Sequence, residues 1–155
     1  MDGNSMGDWS LIAGTFLFCI GSAVIPVMHA EAYLITVSAL TPPALSVALV
    51  LAATIGQMIG KVGMYAAGRG ALQLPGERWK RRVEAVHARY EGHTGIGNGL
   101  IFLSSATGLP PFYIISIAAG VLRVPLVPFV VFGAAGRCIR FALVVFLPQV
   151  IKRAL

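Results

Sequence analysis

Glu31, Arg137 and Arg140 are ionisable side chains set in apolar sequence, and that setting makes them the first candidates for chemistry. Glu31 is the only acidic residue between Asp8 and Glu77, and it stands just after Pro26 in the stretch IPVMHAEAY. Arg137 and Arg140 are three positions apart, so a helix presents them on one face. Arg137 lies 13 positions after Val124 and 10 before Leu147, near the middle of its apolar run. An arginine at the centre of a spanning helix costs about 2.5–3.5 kcal/mol on insertion scales, so both are expected to face a protein interior or a wet cavity. Snorkelling to the interface is the plainer explanation, weakened by the central position. A carboxylate in a wet, partly apolar cavity is drawn toward neutrality by burial and away from it by a nearby guanidinium. Glu31 is therefore a candidate proton carrier, against the plainer view of an interface residue at the mouth of a loop. Lys61, also mid-segment, is a third candidate, and His29, beside the same break, a lesser one.

The segments that must position these side chains are membrane segments. The chain has 155 residues, 57% hydrophobic and 12% charged, with a mean hydropathy of +0.81. A soluble domain carries about twice that charged fraction. Trp9–Met28, Ala32–Gly60 and Thr94–Leu122 hold no charged residue over 20, 29 and 29 positions. Roughly 20 apolar residues in a helix cross the hydrocarbon core. The acidic leader and the length of the first apolar stretch favour a membrane helix over a cleavable signal peptide. The net charge of +6 does not point to nucleic acid, because half of the 12 basic residues cluster between Arg69 and Arg89, the pattern of a cytoplasmic loop.

Within that loop, Trp79, Val83, Val86 and Tyr90 mark one face of a helix over residues 77–91. A basic amphipathic helix between membrane segments suits an anionic leaflet, with a solvated connector as the plainer alternative. Two cysteines without a CxxC spacing give neither a disulfide framework nor a metal site, and no cofactor is called for. Neither a GxSxG, HExxH or Walker loop nor a pair of carboxylates is present, and Ser104 and Ser105 lack a histidine base, so an enzyme is not expected.

Proline divides the apolar sequence. Pro26 and the pair Pro42-Pro43 bracket a short helical piece at Ala32–Leu40, and Pro43 opens a long segment over Ala44–Ala67. In that segment Gly56 and Gly60 have the small-xxx-small spacing that admits another helix closely. Gly108, Pro110 and Pro111 break the stretch Ile96–Leu122, and broken backbone at membrane depth must be buried in protein or line a wet cavity. A shift of 80 residues aligns AEAYLITVSALTPPALSVALVLAATIGQMIG with PPFYIISIAAGVLRVPLVPFVVFGAAGRCIR without a gap. The expected architecture is all-α, a polytopic integral membrane protein with two proline-broken, re-entrant hairpins in an internal repeat. The whole chain forms one transmembrane domain, with repeat halves at about 20–67 and 100–147. Paired broken segments of this kind point to a transporter, with its site where the breaks meet. A re-entrant hairpin plus one span would put Lys152 and Arg153 on the side opposite the basic loop.

The succession IPVMHAEAYL, GQMIGKVGMYAAGRGA, YEGHTG and FLSSATGLPPFYIISIAAGVLRVPLVPFV resembles the DedA family with its VTT (SNARE-associated Golgi protein) domain, over roughly residues 20–145. The resemblance implies two re-entrant hairpins and a transporter-like or lipid-scrambling protein of a bacterial inner membrane, with roles in proton-dependent membrane homeostasis and undecaprenyl phosphate recycling. It places the family's acidic residue at Glu31. The chain also departs from the family, because Ala106 and Phe112 occupy the places of an arginine pair around the second break. Lys61 stands where other members often carry an acid. Arg137 and Arg140 are then the candidates for the cationic role, holding a small solute or a lipid phosphate. The competing class is a non-transporting scaffold or assembly factor, in which the Gly56/Gly60 face packs helices and the 77–91 helix recruits partners or anionic lipid. A second copy of the chain is an admissible partner in either class.

Overall fold

The computed structural model describes residues 3–25, 29–71, 81 and 94–154. Pro26 and the expected 77–91 helix, Arg81 apart, lie outside them. The described residues form helices and turns, without a strand. In chain order the helices are α1 (Gly3–Val24), α2 (Ala30–Leu40), a 3₁₀ turn (Pro43–Leu45), α3 (Ser46–Ala71), α4 (Thr94–Thr107), α5 (Phe112–Val121) and α6 (Leu126–Ala154). Met6–Val24, Pro43–Gly70 and Leu126–Pro148 are long and apolar enough to cross a membrane.

Local chemistry explains the boundaries. Glu31 sits in the first turn of α2, where the helix dipole favours an acid, and the helix accordingly begins at Ala30 rather than at Ala32. Pro42 and Pro43 end α2 and open the next turn, since proline supplies no N–H and is tolerated at a first helical position. Gly108, at φ 81°, and the cis Leu109–Pro110 bond form the turn between α4 and α5. Here the side chains of α4 meet the exposed backbone. Ser104 Oγ donates to the Pro110 carbonyl at 2.5 Å, and the Leu109 N–H donates to Thr107 Oγ1 at 3.1 Å. Ser104 and Ser105 are thus backbone-satisfying residues of the break: Ser105 Oγ donates to the Phe102 carbonyl at 2.9 Å.

The chain builds two compact units, one from residues 1–60 and 137–155, the other from residues 61–136. In the first, Cys19, Leu34, Val50, Ala53, Phe141 and Val145 form a core shared by α1, α2, α3 and α6. A Cβ at Gly60 would collide with Ala23, and one at Gly56 would lie 2.5 Å from the Phe16 carbonyl oxygen. The small-xxx-small face of α3 is therefore occupied by α1 of the same chain. Gln57 Nε2 donates to Ser22 Oγ across the same contact at 2.8 Å. In the second unit, Tyr65, Phe112 and Phe129 stack in series, with ring centroids 5.1 and 6.0 Å apart.

Candidate functional site

Side chains at the start of α2 meet side chains in the middle of α6, within the first unit. The placement of α2 depends on its neighbours on α1. Tyr33 stacks on Phe18 at 4.2 Å between ring centroids, and its hydroxyl lies 3.2 Å from Thr15 Oγ1. Ala30 and Leu34 bury in the core on either side of Glu31. Glu31 itself is then turned toward α6.

There Arg140 Nε donates to Glu31 Oε1 at 2.8 Å, a charge-assisted bond between residues 109 positions apart. Arg137 Nη1 lies 3.8 Å from the same oxygen. The three-residue spacing on α6 delivers both guanidiniums to one carboxylate. Arg137 is 8% exposed, and its guanidinium carbon sits 5.9 Å from the centroid of the Phe141 ring. Snorkelling does not describe this side chain. The side chains of Glu31 and Arg140 are 27% and 28% exposed, so the cluster has one buried cation and one edge open to the outside. Two cations against one anion leave it with a formal excess of one positive charge. Such an arrangement holds its own carboxylate and has the charge to hold a second anion.

Of the other expected site residues, Lys61 and those of the α4–α5 turn belong to the second unit, while Pro26 lies outside the described residues. Lys61 is 4% exposed with Nζ 3.8 Å from Met64 Sδ, while Gly108, Pro110 and Pro111 form the α4–α5 turn. Ala106 and Phe112 flank that turn, so no arginine stands at the break. His29 is the N-cap position of α2, exposed, and makes no side-chain cap bond. Among the described residues no group of three His, Cys, Asp or Glu could hold a metal.

Sequence reasoning missed a hydrogen-bonded chain in the second unit. Arg69 Nη1 donates to Tyr65 Oη at 2.9 Å, and Tyr65 Oη donates to the Val124 carbonyl at 2.6 Å. The only signal for it in the sequence was the spacing Tyr65-x-x-Gly68-Arg69, which does not reveal the partner.

The family model of the VTT domain matches residues 25–149, a span that includes Glu31, Lys61, the α4–α5 turn and both arginines of α6. No curated protein and no solved structure matches the chain.

Proposed function

Because the chain belongs to the VTT-domain family, that of DedA and SNARE-associated Golgi proteins, we propose that it is a membrane transporter or lipid scramblase that moves a small solute or an anionic lipid headgroup across a bacterial inner membrane. The observation that carries this reading is the Glu31–Arg137–Arg140 cluster, a cationic site where the short helix α2 meets α6, a helix long enough to cross a membrane. The family is generally not enzymatic, and we read this chain as a non-enzyme.

The cluster suggests how a proton and an anion would be coupled. Glu31 and an incoming phosphate compete for the same guanidiniums. Protonation removes the charge from Glu31 and its attraction for Arg140 and Arg137, which then serve the anion by charge-assisted hydrogen bonds. Anion uptake is thus favoured as pH falls, and the internal pair re-forms as pH rises. Two features support the broken-helix architecture that such a mechanism needs. The 11 residues of α2 and the 10 of α5 reach only roughly 16 and 15 Å at 1.5 Å per residue, short of a hydrocarbon core about 30 Å thick. A shift of 80 residues also carries α2 and α3 onto 110–120 and 126–151, close to the bounds of α5 and α6.

Flux of radiolabelled inorganic phosphate, and of a short-chain fluorescent phosphatidylglycerol, is to be measured in proteoliposomes against pH. We expect Glu31→Gln to abolish the pH dependence and Arg137→Ala to reduce flux at every pH. Unimpaired, pH-sensitive flux of both probes in both variants sinks the mechanism. In the competing scaffold reading the Gly56/Gly60 face packs helices, and α1 of the same chain packs on it.

A further inference from the structure

The second unit carries a groove that the proposed transport site does not use. A cavity of about 210 Å³ lies between α4 and α5, walled by Ile96, Leu100 and Ile101 on one side and Ile115, Ala118 and Leu122 on the other. Its lining is apolar, and Ile96, the lining residue nearest the start of α4, is 70% exposed. At that same end α5 stops, and two arginines stand there.

The first is Arg123. The N–H of Val124 bonds to the Ala119 carbonyl at 2.9 Å, and that of Arg123 to the Gly120 carbonyl at 3.0 Å. This is the Schellman pattern, which puts the residue after the C-cap in the left-handed region. Arg123 has φ 53° and is exposed. Glycine or asparagine normally takes such a position, because a longer side chain is strained there. The fold tolerates an arginine at its least suitable backbone site, immediately between Leu122 and Val124 of the groove wall. Strain of this kind, held by surrounding structure, points to a use for the side chain.

The second is Arg69. Gly120 packs so closely on α3 that a Cβ would collide with the Tyr65 carbonyl and approach the Arg69 nitrogen at 2.9 Å. Arg69 is exposed, and its guanidinium reaches the Val124 carbonyl through the single hydroxyl of Tyr65. Beyond Arg69 the sequence runs into the basic residues 78–89, which marks this end as the interfacial one.

We propose that this groove binds one anionic phospholipid, with an acyl chain between α4 and α5 and the headgroup phosphate on Arg123 and Arg69. The apolar walls match hydrocarbon. Guanidiniums suit phosphate because their planar forks donate paired hydrogen bonds. A neutral lipid could fill the slot but has no net charge to answer two cations next to its wall at Leu122 and Val124. Free phosphate would answer the cations but has nothing for the slot. The site is separate from the Glu31 cluster and needs no transport to operate.

The test is native mass spectrometry of the full chain in neutral detergent, titrated with phosphatidylglycerol and with phosphatidylcholine. We expect one phosphatidylglycerol to be retained about tenfold more tightly than phosphatidylcholine, whose choline ammonium offsets the charge of its phosphate; tenfold corresponds to about 1.4 kcal/mol. Arg123→Asn keeps a residue suited to the left-handed conformation while removing the charge. It should erase the preference and leave phosphatidylcholine binding unchanged, with no loss of thermal stability. Ala118→Phe, which fills the groove, should weaken both lipids. Equal affinity for the two lipids overturns the proposal. So does full phosphatidylglycerol binding in Arg123→Asn, or displacement of the lipid by millimolar inorganic phosphate. Should Ala118→Phe fail to fold, the Arg123→Asn comparison decides alone.

Discussion

Glu31 is a carboxylate whose surroundings are set by two residues on another helix, and its substitution acts on them as much as on itself. Removing it leaves two guanidiniums together, one of them buried, and an uncompensated buried charge is more damaging than a missing pair. Part of the cluster is exposed, which screens the effect. We expect Glu31→Gln to lower stability by about 2 kcal/mol, in the range for a hydrogen bond to a charged group. Combined with Arg140→Gln, the loss should fall well short of the sum of the two single losses, giving a coupling of roughly 1–3 kcal/mol in a double-mutant cycle read by thermal melting. Strict additivity would show that the 2.8 Å contact carries no energy. Tyr65 offers a simpler case. Tyr65→Phe strips the Val124 carbonyl of its buried donor and should cost about 1–3 kcal/mol. A melting temperature equal to that of the parent would mean that another donor replaces it.

At the scale of elements, the same residue type has different consequences along α3. Gly60 sits against Ala23 and the Ile20 carbonyl, whereas nothing lies within 4 Å of a Cβ built at Gly63. Gly60→Val should therefore force α1 off α3, with an overpacking loss of about 1–3 kcal/mol, while Gly63→Val stays close to the parent. Thermal melts of the two variants in one detergent make the comparison. Equal losses would show that valine's intrinsic effect on the helix, not the helix contact, decides the outcome. The α4–α5 turn follows the complementary rule. Its backbone is broken by two prolines, and it persists at this place because Ser104 and Thr107 bond to groups the helices leave open.

For the whole molecule, the helix lengths limit how the chain can cross the membrane. Among the described residues three helices are long enough to cross, while α2 and α5 each fall short. If α4 and α5 together enter and leave by one face, single cysteines at Ile96 and Leu126 will be labelled from the same side of a sealed vesicle. A cysteine at Arg153 will then be labelled from the other side, after α6 has crossed. The native Cys19 and Cys138 must first be replaced, as both are free thiols. Labelling of positions 96 and 126 from opposite sides would rule out a re-entrant hairpin.

The sequence by itself determined the solvent, the elements and the candidate charges. Membrane character, helix length and proline breaks depend on neighbours a few positions away, so hydropathy and spacing expose them. The apolar runs thus announced α1, α3 and α6, and the motif Thr107-Gly108-Leu109-Pro110-Pro111 announced the division of α4 from α5. The isolated carboxylate and the arginines three apart were visible for the same reason, and the resemblance to the DedA family rested on stretches of contiguous residues. Only tertiary structure decided what those residues meet. Glu31 and Arg140 are 109 positions apart, and no spacing rule pairs an acid with one of several cations over that distance. The spacing of Gly56 and Gly60 admits a helix without saying which, and the packing gave that place to α1. Ser104 and Ser105 acquired their role when the chain turned back and brought a proline carbonyl within reach. The link from Arg69 through Tyr65 to Val124, and the left-handed place of Arg123, arise where α5 ends against α3. Contacts of this kind exist only once helices distant in sequence have packed, because the energy that selects them is shared among side chains that no local window contains.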